Sequence, residues 1–535
     1  MKKFISLLLV HIMCTLLLNA EPRLQISQGK LKGTFLKSRN GRRYSAYLGL
    51  PYAQPPIGNL RFRNPLPAGN WSNYRDATFY RNICLQPSIN GSIGNEDCLF
   101  LNVYAPLRTR RKNLLPVMIW IHGGSFIGGT SNIFSGNYLL DKDIILVTVN
   151  YRLGIFGFFT LGDTTVSGNF GLKDQVLALK WVQKNIKAFG GNPNKVTLFG
   201  ESAGGASVSL HAISKANNGL FQQYIIQSGS SLSPWSCQKS EKFKEPVVKI
   251  AKMVNCPYNS SQILVNCLRG KNAEILLNTG SAFNNNLGFA PVQWTPTIEP
   301  DEKDAFLIDS PKNLIEKNQM KDLPFMSGIV SDEGLLITNS LYANETIYKL
   351  MRNNLEQLLS FVGDFFLDLN NTKVFVEEIE NFYFNNSFNS SGKTEFLKGL
   401  TDTFSDGGFI YPELRMLQKT TPKMRNSNYL YSFGFAFSPQ NNGVAHGSEV
   451  DYLFPFSNVN LQMSEIMVEL WTSFASNGKP ISKKLNPPDI WKPYNIEKNS
   501  HLQIGNINNN TDSKITLSNS FYPKRMNFWQ TKFPI

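Results

Sequence analysis

Short apolar runs alternate with segments of helical periodicity through the middle of this chain. Val117-Met118-Ile119-Trp120-Ile121 and Ile144-Ile145-Leu146-Val147-Thr148-Val149 are nearly unbroken apolar stretches, as expected of strands buried on both faces of a sheet. Leu172, Val176, Leu179, Val182, Ile186 and Phe189 recur at spacings of three and four, the mark of an amphipathic helix. Gly190-Gly191-Asn192-Pro193 stops it. Lys195-Val196-Thr197-Leu198-Phe199 reads as the next strand, and 203–216 as a helix. Tyr224-Ile225-Ile226, the run 324–330 and Tyr429-Leu430-Tyr431-Ser432-Phe433 read as further strands. Strand alternating with helix predicts an α/β fold, a large, mostly parallel sheet with helices on both faces. In such sheets ligands bind beyond the carboxyl ends of the strands. Hydrophobic residues at 42% and charged residues at 17% supply a large core and exclude wholesale disorder. No internal repeat is found. The stretch 339–403 is polar and Asn-rich, and is read as peripheral helices and loops rather than a second domain. One domain is therefore expected over 21–535.

The chain begins Met1-Lys2-Lys3 and continues as an apolar run over 4–18, with Asn19-Ala20 at a plausible cleavage point. That pattern predicts a secretory signal peptide over 1–20. The run is shorter than the roughly 20 apolar residues a spanning helix needs, and His11, Cys14 and Thr15 interrupt it. No integral membrane anchor is expected, and the mature protein is read as extracellular. Cys84, Cys98, Cys237, Cys256 and Cys267 then remain, which suggests two disulfides and one leftover thiol. Cys84 with Cys98 and Cys256 with Cys267 would each close a short local loop, the closure chain entropy favours. Glycosylation sequons start at Asn70, Asn90, Asn259, Asn344, Asn370, Asn385, Asn389 and Asn509. The net charge of +15 is mostly scattered, with one dense basic run at Arg108-Thr109-Arg110-Arg111-Lys112. It is read as compositional bias, and no nucleic-acid partner is inferred.

Gly200-Glu201-Ser202-Ala203-Gly204 matches G-x-S-x-G between a predicted strand and a predicted helix. That setting makes a sharp turn presenting a nucleophilic serine. A serine hydroxyl needs a base to attack near neutral pH. The chain has only His11, His122, His211, His446 and His501. His11 leaves with the leader, His122 sits in a glycine turn, and His211 lies on the same helix as Ser202. The chain order serine, acid, histidine leaves His446 and His501. His446 follows a strand in the loop Gly443-Val444-Ala445-His446-Gly447, whereas His501 is read as a solvated residue of a polar tail. His446 is the candidate base. The acid belongs between them, after a strand, where Ser331-Asp332-Glu333-Gly334 falls. Composition does not choose between Asp332 and Glu333. His122-Gly123-Gly124-Ser125-Phe126 follows another buried strand. Turns of this HGGG type supply backbone donors to an oxyanion.

Together these pieces resemble the type-B carboxylesterase/cholinesterase family over nearly the whole mature chain. The resemblance rests on Tyr47-Leu48-Gly49-Leu50-Pro51-Tyr52-Ala53, Glu96-Asp97-Cys98-Leu99-Phe100-Leu101-Asn102-Val103-Tyr104, the His122 turn, Asn150-Tyr151-Arg152-Leu153-Gly154, the Ser202 motif, Gln227-Ser228-Gly229-Ser230, Ser331-Asp332-Glu333-Gly334 and His446-Gly447-Ser448-Glu449. It implies an α/β-hydrolase fold and hydrolysis of small carboxylic esters through an acyl-enzyme. Ser202, Glu333 and His446 would form the catalytic triad, with oxyanion donors from the backbones of Gly124, Ser125 and Ala203. It also implies the disulfides Cys84–Cys98 and Cys256–Cys267, and it calls for no metal or cofactor. Some features depart from cholinesterases. The loop 85–97 has no aromatic residue to bind a quaternary ammonium. Leu335, Leu336 and Ile337 follow the acid, so an aliphatic pocket for neutral esters is expected. Juvenile hormone esterases usually carry Gln where Glu201 stands, which favours a general esterase. The alternatives are a juvenile hormone esterase, a cholinesterase, or a non-catalytic adhesion protein of the same fold.

Overall fold

In the computed structural model the described residues are 21–107, 113–283, 293–386, 388, 391–436, 442–506 and 511–535. The expected leader, the basic run 108–112 and the sequon asparagines Asn389 and Asn509 lie outside them.

The framework is one eleven-stranded sheet. Its strands are β1 (Thr34–Lys37), β2 (Arg43–Pro51), β3 (Phe100–Pro106), β4 (Leu115–Ile121), β5 (Ile145–Val149) and β6 (Gly191–Glu201). They continue as β7 (Gln223–Gln227), β8 (Phe325–Val330), β9 (Asn428–Phe433), β10 (His501–Ile504) and β11 (Ile515–Ser518). The order across the sheet is β11-β10-β9-β8-β7-β6-β4-β5-β3-β2-β1. Strands β10 to β5 in that order pair in parallel. The edges, β11 on one side and β3-β2-β1 on the other, pair antiparallel. This is the α/β-hydrolase fold.

Side-chain alternation divides the core in two. Val117, Ile119 and Ile121 of β4 enter one buried cluster, and Met118 and Trp120 enter the other. A strand read as a continuous apolar run is one whose two faces are both covered. Helix α1 (Phe170–Asn185) and helix α2 (Ala203–Ile213) cover the first face through Leu172, Val176, Val208 and Leu210. Helix α8 (Leu461–Asn477) covers the second through Met467, Trp471 and Phe474. Between β8 and β9 lie α3 (Leu335–Ala343), α4 (Leu355–Leu367), α5 (Thr372–Tyr383), α6 (Lys393–Ser405) and α7 (Tyr411–Thr420). Helix α9 (Pro523–Lys532) follows β11. The stretch 339–403 is thus mainly helical, and Leu341, Phe375, Ile379 and Leu400 join the first cluster.

Some element boundaries differ from the sequence reading, and so does the setting of His501. The helix expected over 203–216 ends at Ile213, because Ser214 turns to extended backbone and its hydroxyl accepts from the Ala216 N–H. His501 is not solvated: it opens β10 at 6% exposure, with its ring against Phe521 at 4.9 Å. The polar residues around it hid a four-residue strand.

Candidate active site

Ser202 sits between β6 and α2 with φ 58° and ψ −125°. A non-glycine residue there is strained, and close packing holds it. Gly200 pairs with Ile121 at the end of β4. A Cβ at Gly200 would meet the Ile121 carbonyl oxygen at 2.5 Å, and one at Gly204 would clash with the same oxygen. The motif glycines therefore let β4 and the elbow touch, and the elbow puts Ser202 beyond the carboxyl end of its strand.

Glu333 and His446 come from neighbouring strands. Glu333 follows β8, is fully buried, and accepts from the Val330 N–H at 2.9 Å. Its second oxygen accepts from His446 Nδ1 at 2.5 Å. Asp332 does something else. Its carboxylate accepts from the Ser331 hydroxyl at 2.6 Å and from the Val444 N–H at 3.0 Å, and its own N–H donates to the Val444 carbonyl at 3.2 Å. It ties the histidine loop to the acid loop while Glu333 holds the imidazole. The other ring nitrogen, His446 Nε2, is buried without a hydrogen-bond partner among the described residues and lies 3.1 Å from Glu201 Oε1.

The turn after β4 lies beside the elbow. A Cβ on Gly123 would come within 2.9 Å of Ser202 Cβ. The carbonyls of this turn are tied back: that of Gly124 accepts from Gly128 N–H at 2.9 Å, that of Phe126 from Gly154 N–H at 2.7 Å, and that of His122 from the Tyr151 hydroxyl at 2.8 Å. Ser125 has φ 54° and Phe126 φ 60°, so two non-glycine residues occupy left-handed backbone here. Ala203 opens α2 at the positive end of the helix.

A cavity of about 270 Å3 opens at Ser202 and Ser125. Leu336, Ile337, Trp235 and Phe409 line it, as do residues of α4, α5 and α9. The expectation of an aliphatic pocket needs correction. Leu335 is buried away from the lining, and only Leu336 and Ile337 of that run border it. The remaining wall is mixed: aromatic side chains such as Phe126, Phe375 and Trp529 alternate with Leu359, Val362 and Leu367, supplied by segments remote in sequence.

A sequence comparison matches residues 20–529 to the carboxylesterase family. The chain belongs to that family. It is 35% identical over 538 residues to a carboxylic ester hydrolase of Bombus ignitus, covering 95% of this chain and 94% of that protein. Venom carboxylesterase-6 of Apis mellifera is 34% identical over 535 residues, with 95% and 94% covered. Juvenile hormone esterase of Tribolium castaneum is 35% identical over 531 residues, with 91% and 88% covered.

The electrostatics of this carboxylesterase-family site centre on His446. Burial would lower its pKa, but the carboxylates of Glu201 and Glu333 outweigh that and raise it to about 9. Glu201 is itself held above the ordinary carboxyl range by burial. Burial, with Glu201 and Glu333, pushes Glu449 up to about 8, and its Oε1 accepts from Gln227 Nε2 at 3.1 Å. The contact of Glu201 with His446 was missed from the sequence, where residue 201 was read only as the variable position of the serine motif and as a mark separating general from juvenile hormone esterases.

The other histidines are accounted for locally. His122 stacks on Tyr151 at 4.5 Å, and burial lowers it to about 4. His211 lies between Gln175 and Asn217 at 2.9 and 2.7 Å, and burial lowers it to about 3. Cys84–Cys98 and Cys256–Cys267 are disulfide-bonded, and Cys237 is a half-buried thiol. Asn70, Asn90, Asn259, Asn344, Asn370 and Asn385 are all exposed. No metal-binding cluster and no helix able to cross a membrane is found among the described residues.

Proposed function

We propose that the chain is a secreted serine hydrolase of neutral carboxylic esters, a single domain over 21–535 freed of residues 1–20. Ser202 Oγ attacks the ester carbonyl carbon as its proton passes to His446 Nε2. Glu333 holds the imidazole tautomer and stabilises the imidazolium. The oxyanion is met by the N–H groups of Gly124, Ser125 and Ala203. Collapse breaks the C–O bond, His446 returns the proton to the departing alcohol, and an acyl-Ser202 remains. Water, deprotonated by His446, attacks that acyl group; the acyl C–Oγ bond breaks, His446 returns the proton to Ser202 Oγ, and the carboxylic acid leaves. In the resting arrangement Nε2 lies 3.1 Å from Glu201 Oε1.

The observation that carries this reading is the His446–Glu333 contact of 2.5 Å in a site where the left-handed Ser202 opens onto an apolar cavity. Neutral substrates follow from that cavity. No carboxylate lines it among the described residues. Desolvating a cation there costs several kcal/mol, against about 2 kcal/mol from a desolvated cation–π contact. Secretion is supported by the leader pattern, the two disulfides and the similarity to a venom carboxylesterase.

The test is covalent labelling. An organophosphate is expected to modify Ser202 once per chain and abolish hydrolysis of p-nitrophenyl acetate. Ser202→Ala is expected to fold, take no label and have almost no activity. Recovery of the label on another serine would reject the assignment.

A further inference from the structure

The cavity does not end beside Ser202. One wall is a π-helical turn, Asp406–Ile410, between α6 and α7. Phe409 lies against the His446 ring at 4.8 Å. The carbonyl of Gly408 accepts from the Trp235 indole N–H at 2.9 Å. At Gly407 a Cβ would meet the Trp529 ring at 2.5 Å. The turn therefore runs along the cavity from the imidazole toward α9, and two successive residues leave that wall bare.

The glycines have different reasons. Trp529 leaves no room for a side chain at 407. At Gly408 a Cβ would have only the Trp235 indole nitrogen near it, at 3.9 Å, and its φ is not left-handed. Neither crowding nor backbone strain requires glycine at 408. Glycine in a helical position costs about 1 kcal/mol relative to alanine. What its absence of a side chain gives is open cavity.

Phe366 and Leu367 of α4, Phe375 of α5 and Trp529 of α9 line the cavity as well. The α9 part of that lining is fixed by hydrogen bonds. Trp529 Nε1 donates to the Tyr383 hydroxyl at 2.8 Å, and that hydroxyl donates to Asp406 at 2.5 Å. Arg525 grips the same carboxylate at 2.6 and 2.5 Å. Among the described residues, the one hydroxyl added along the way is that of Thr403, which donates to the Gly399 carbonyl at 2.8 Å. The chamber therefore offers an entering chain apolar contact and no demand for a polar group.

On the reading that Ser202 cleaves esters, we infer that this chamber takes one extended aliphatic arm of the substrate and that Gly408 sets how long an arm is accepted. The arm belongs to the acyl or to the alcohol half of the ester, and each half is varied separately below. Each methylene that enters gains apolar burial worth about a fourfold rise in kcat/KM. Leucine at 408 projects into the space the arm would fill.

The experiment uses two series. p-Nitrophenyl alkanoates from acetate to dodecanoate vary the acyl arm, and S-alkyl thioacetates from methyl to decyl vary the alcohol arm. With the wild-type protein, kcat/KM is expected to climb about fourfold per methylene over several carbons in one series, and that series names the arm. In Gly408→Leu the ratio of kcat/KM for the longest to the shortest member of that series is expected to fall at least about 50-fold. Gly408→Ala, a smaller intrusion, is expected to lower the ratio by a few-fold and covers the case in which the leucine variant does not fold. A wild-type profile flat in both series, with the acetate hydrolysed, would overturn this inference alone. So would variants that lose long and short substrates equally. No hydrolysis of any member by the wild-type protein would overturn the esterase reading with it.

Discussion

Glu201 lies where it governs the pH at which His446 can act. Its carboxylate is 3.1 Å from Nε2 and favours the imidazolium. His446 takes a proton only when neutral, so activity rises as pH climbs through its pKa and is lost as pH falls below it. With that pKa raised above 6.5, the rise is expected above pH 6.5. Removing the charge at 201 lowers the pKa. In Glu201→Gln the acid limb of the kcat/KM profile on p-nitrophenyl acetate is expected about one pH unit or more lower. A limb that stays put would show that Glu201 does not act on the base. Ser125 permits a second test. Its φ of 54° is a region glycine occupies freely and Asp or Asn tolerates better than most residues. Ser125→Gly is therefore expected to keep its backbone donor, relieve strain and hold kcat/KM within a few-fold of wild type. Ser125→Asp keeps the turn but sets an anion beside the developing oxyanion, for an expected loss of at least about 100-fold. Equal rates for Ser125→Asp and wild type would displace the proposed oxyanion hole. Motif and chain order made Ser202 and His446 legible in the sequence. Composition did not separate Glu333 from Asp332, because adjacent carboxylates differ only in which loop each meets; the resemblance chose Glu333, and the tie Asp332 makes to the histidine loop was not foreseen.

The central strands β4 to β9 could be read from the sequence because each is covered on both faces, which leaves a nearly continuous apolar run. The edges could not. β10 and β11 are four residues long and partly polar, and β3 carries Asn102 inside an otherwise apolar stretch, where it donates to Ser131 and Thr148. Nor could the deep wall of the cavity. The stretch holding α4 and α5 was read only as polar peripheral helices and loops, and α9 was not read at all, because an apolar helix face does not reveal which space it borders. The join between α9 and the π-helical turn is ionic. Asp406 is fully buried and Arg525 is 21% exposed at the side chain. Arg525→Ala would strand a buried carboxylate, at a cost of about 3 kcal/mol. Urea unfolding is expected to report that loss, and Asp406→Asn with Arg525→Ala is expected to recover part of it, since no charge is then left unpaired. A single variant within about 0.5 kcal/mol of wild type, the range of ordinary surface changes, would mean that this pair does not hold the helix.

At the scale of the whole molecule, the proposed compartment and the cysteine chemistry stand or fall together. Five cysteines follow the expected leader. Four are joined as Cys84–Cys98 and Cys256–Cys267, the first across the loop that precedes β3 and the second beneath the loop leading into a short helix. Cys237 is left. Burial, assisted by Glu299, pushes its thiol up to about 12. The thiolate is the species that alkylates, so at pH 8 only about one in ten thousand molecules carries it. Native protein treated with iodoacetamide at pH 8 is therefore expected to gain almost no label within an hour. In guanidinium without reductant the thiol returns to an ordinary pKa near 8.5, and one label per chain is expected, on Cys237. After reduction all five are expected to react. Native labelling of Cys237 at the rate of free cysteine would contradict its raised thiol pKa. Any number other than one in guanidinium would break the disulfide pairing and, with it, the case for an oxidising compartment.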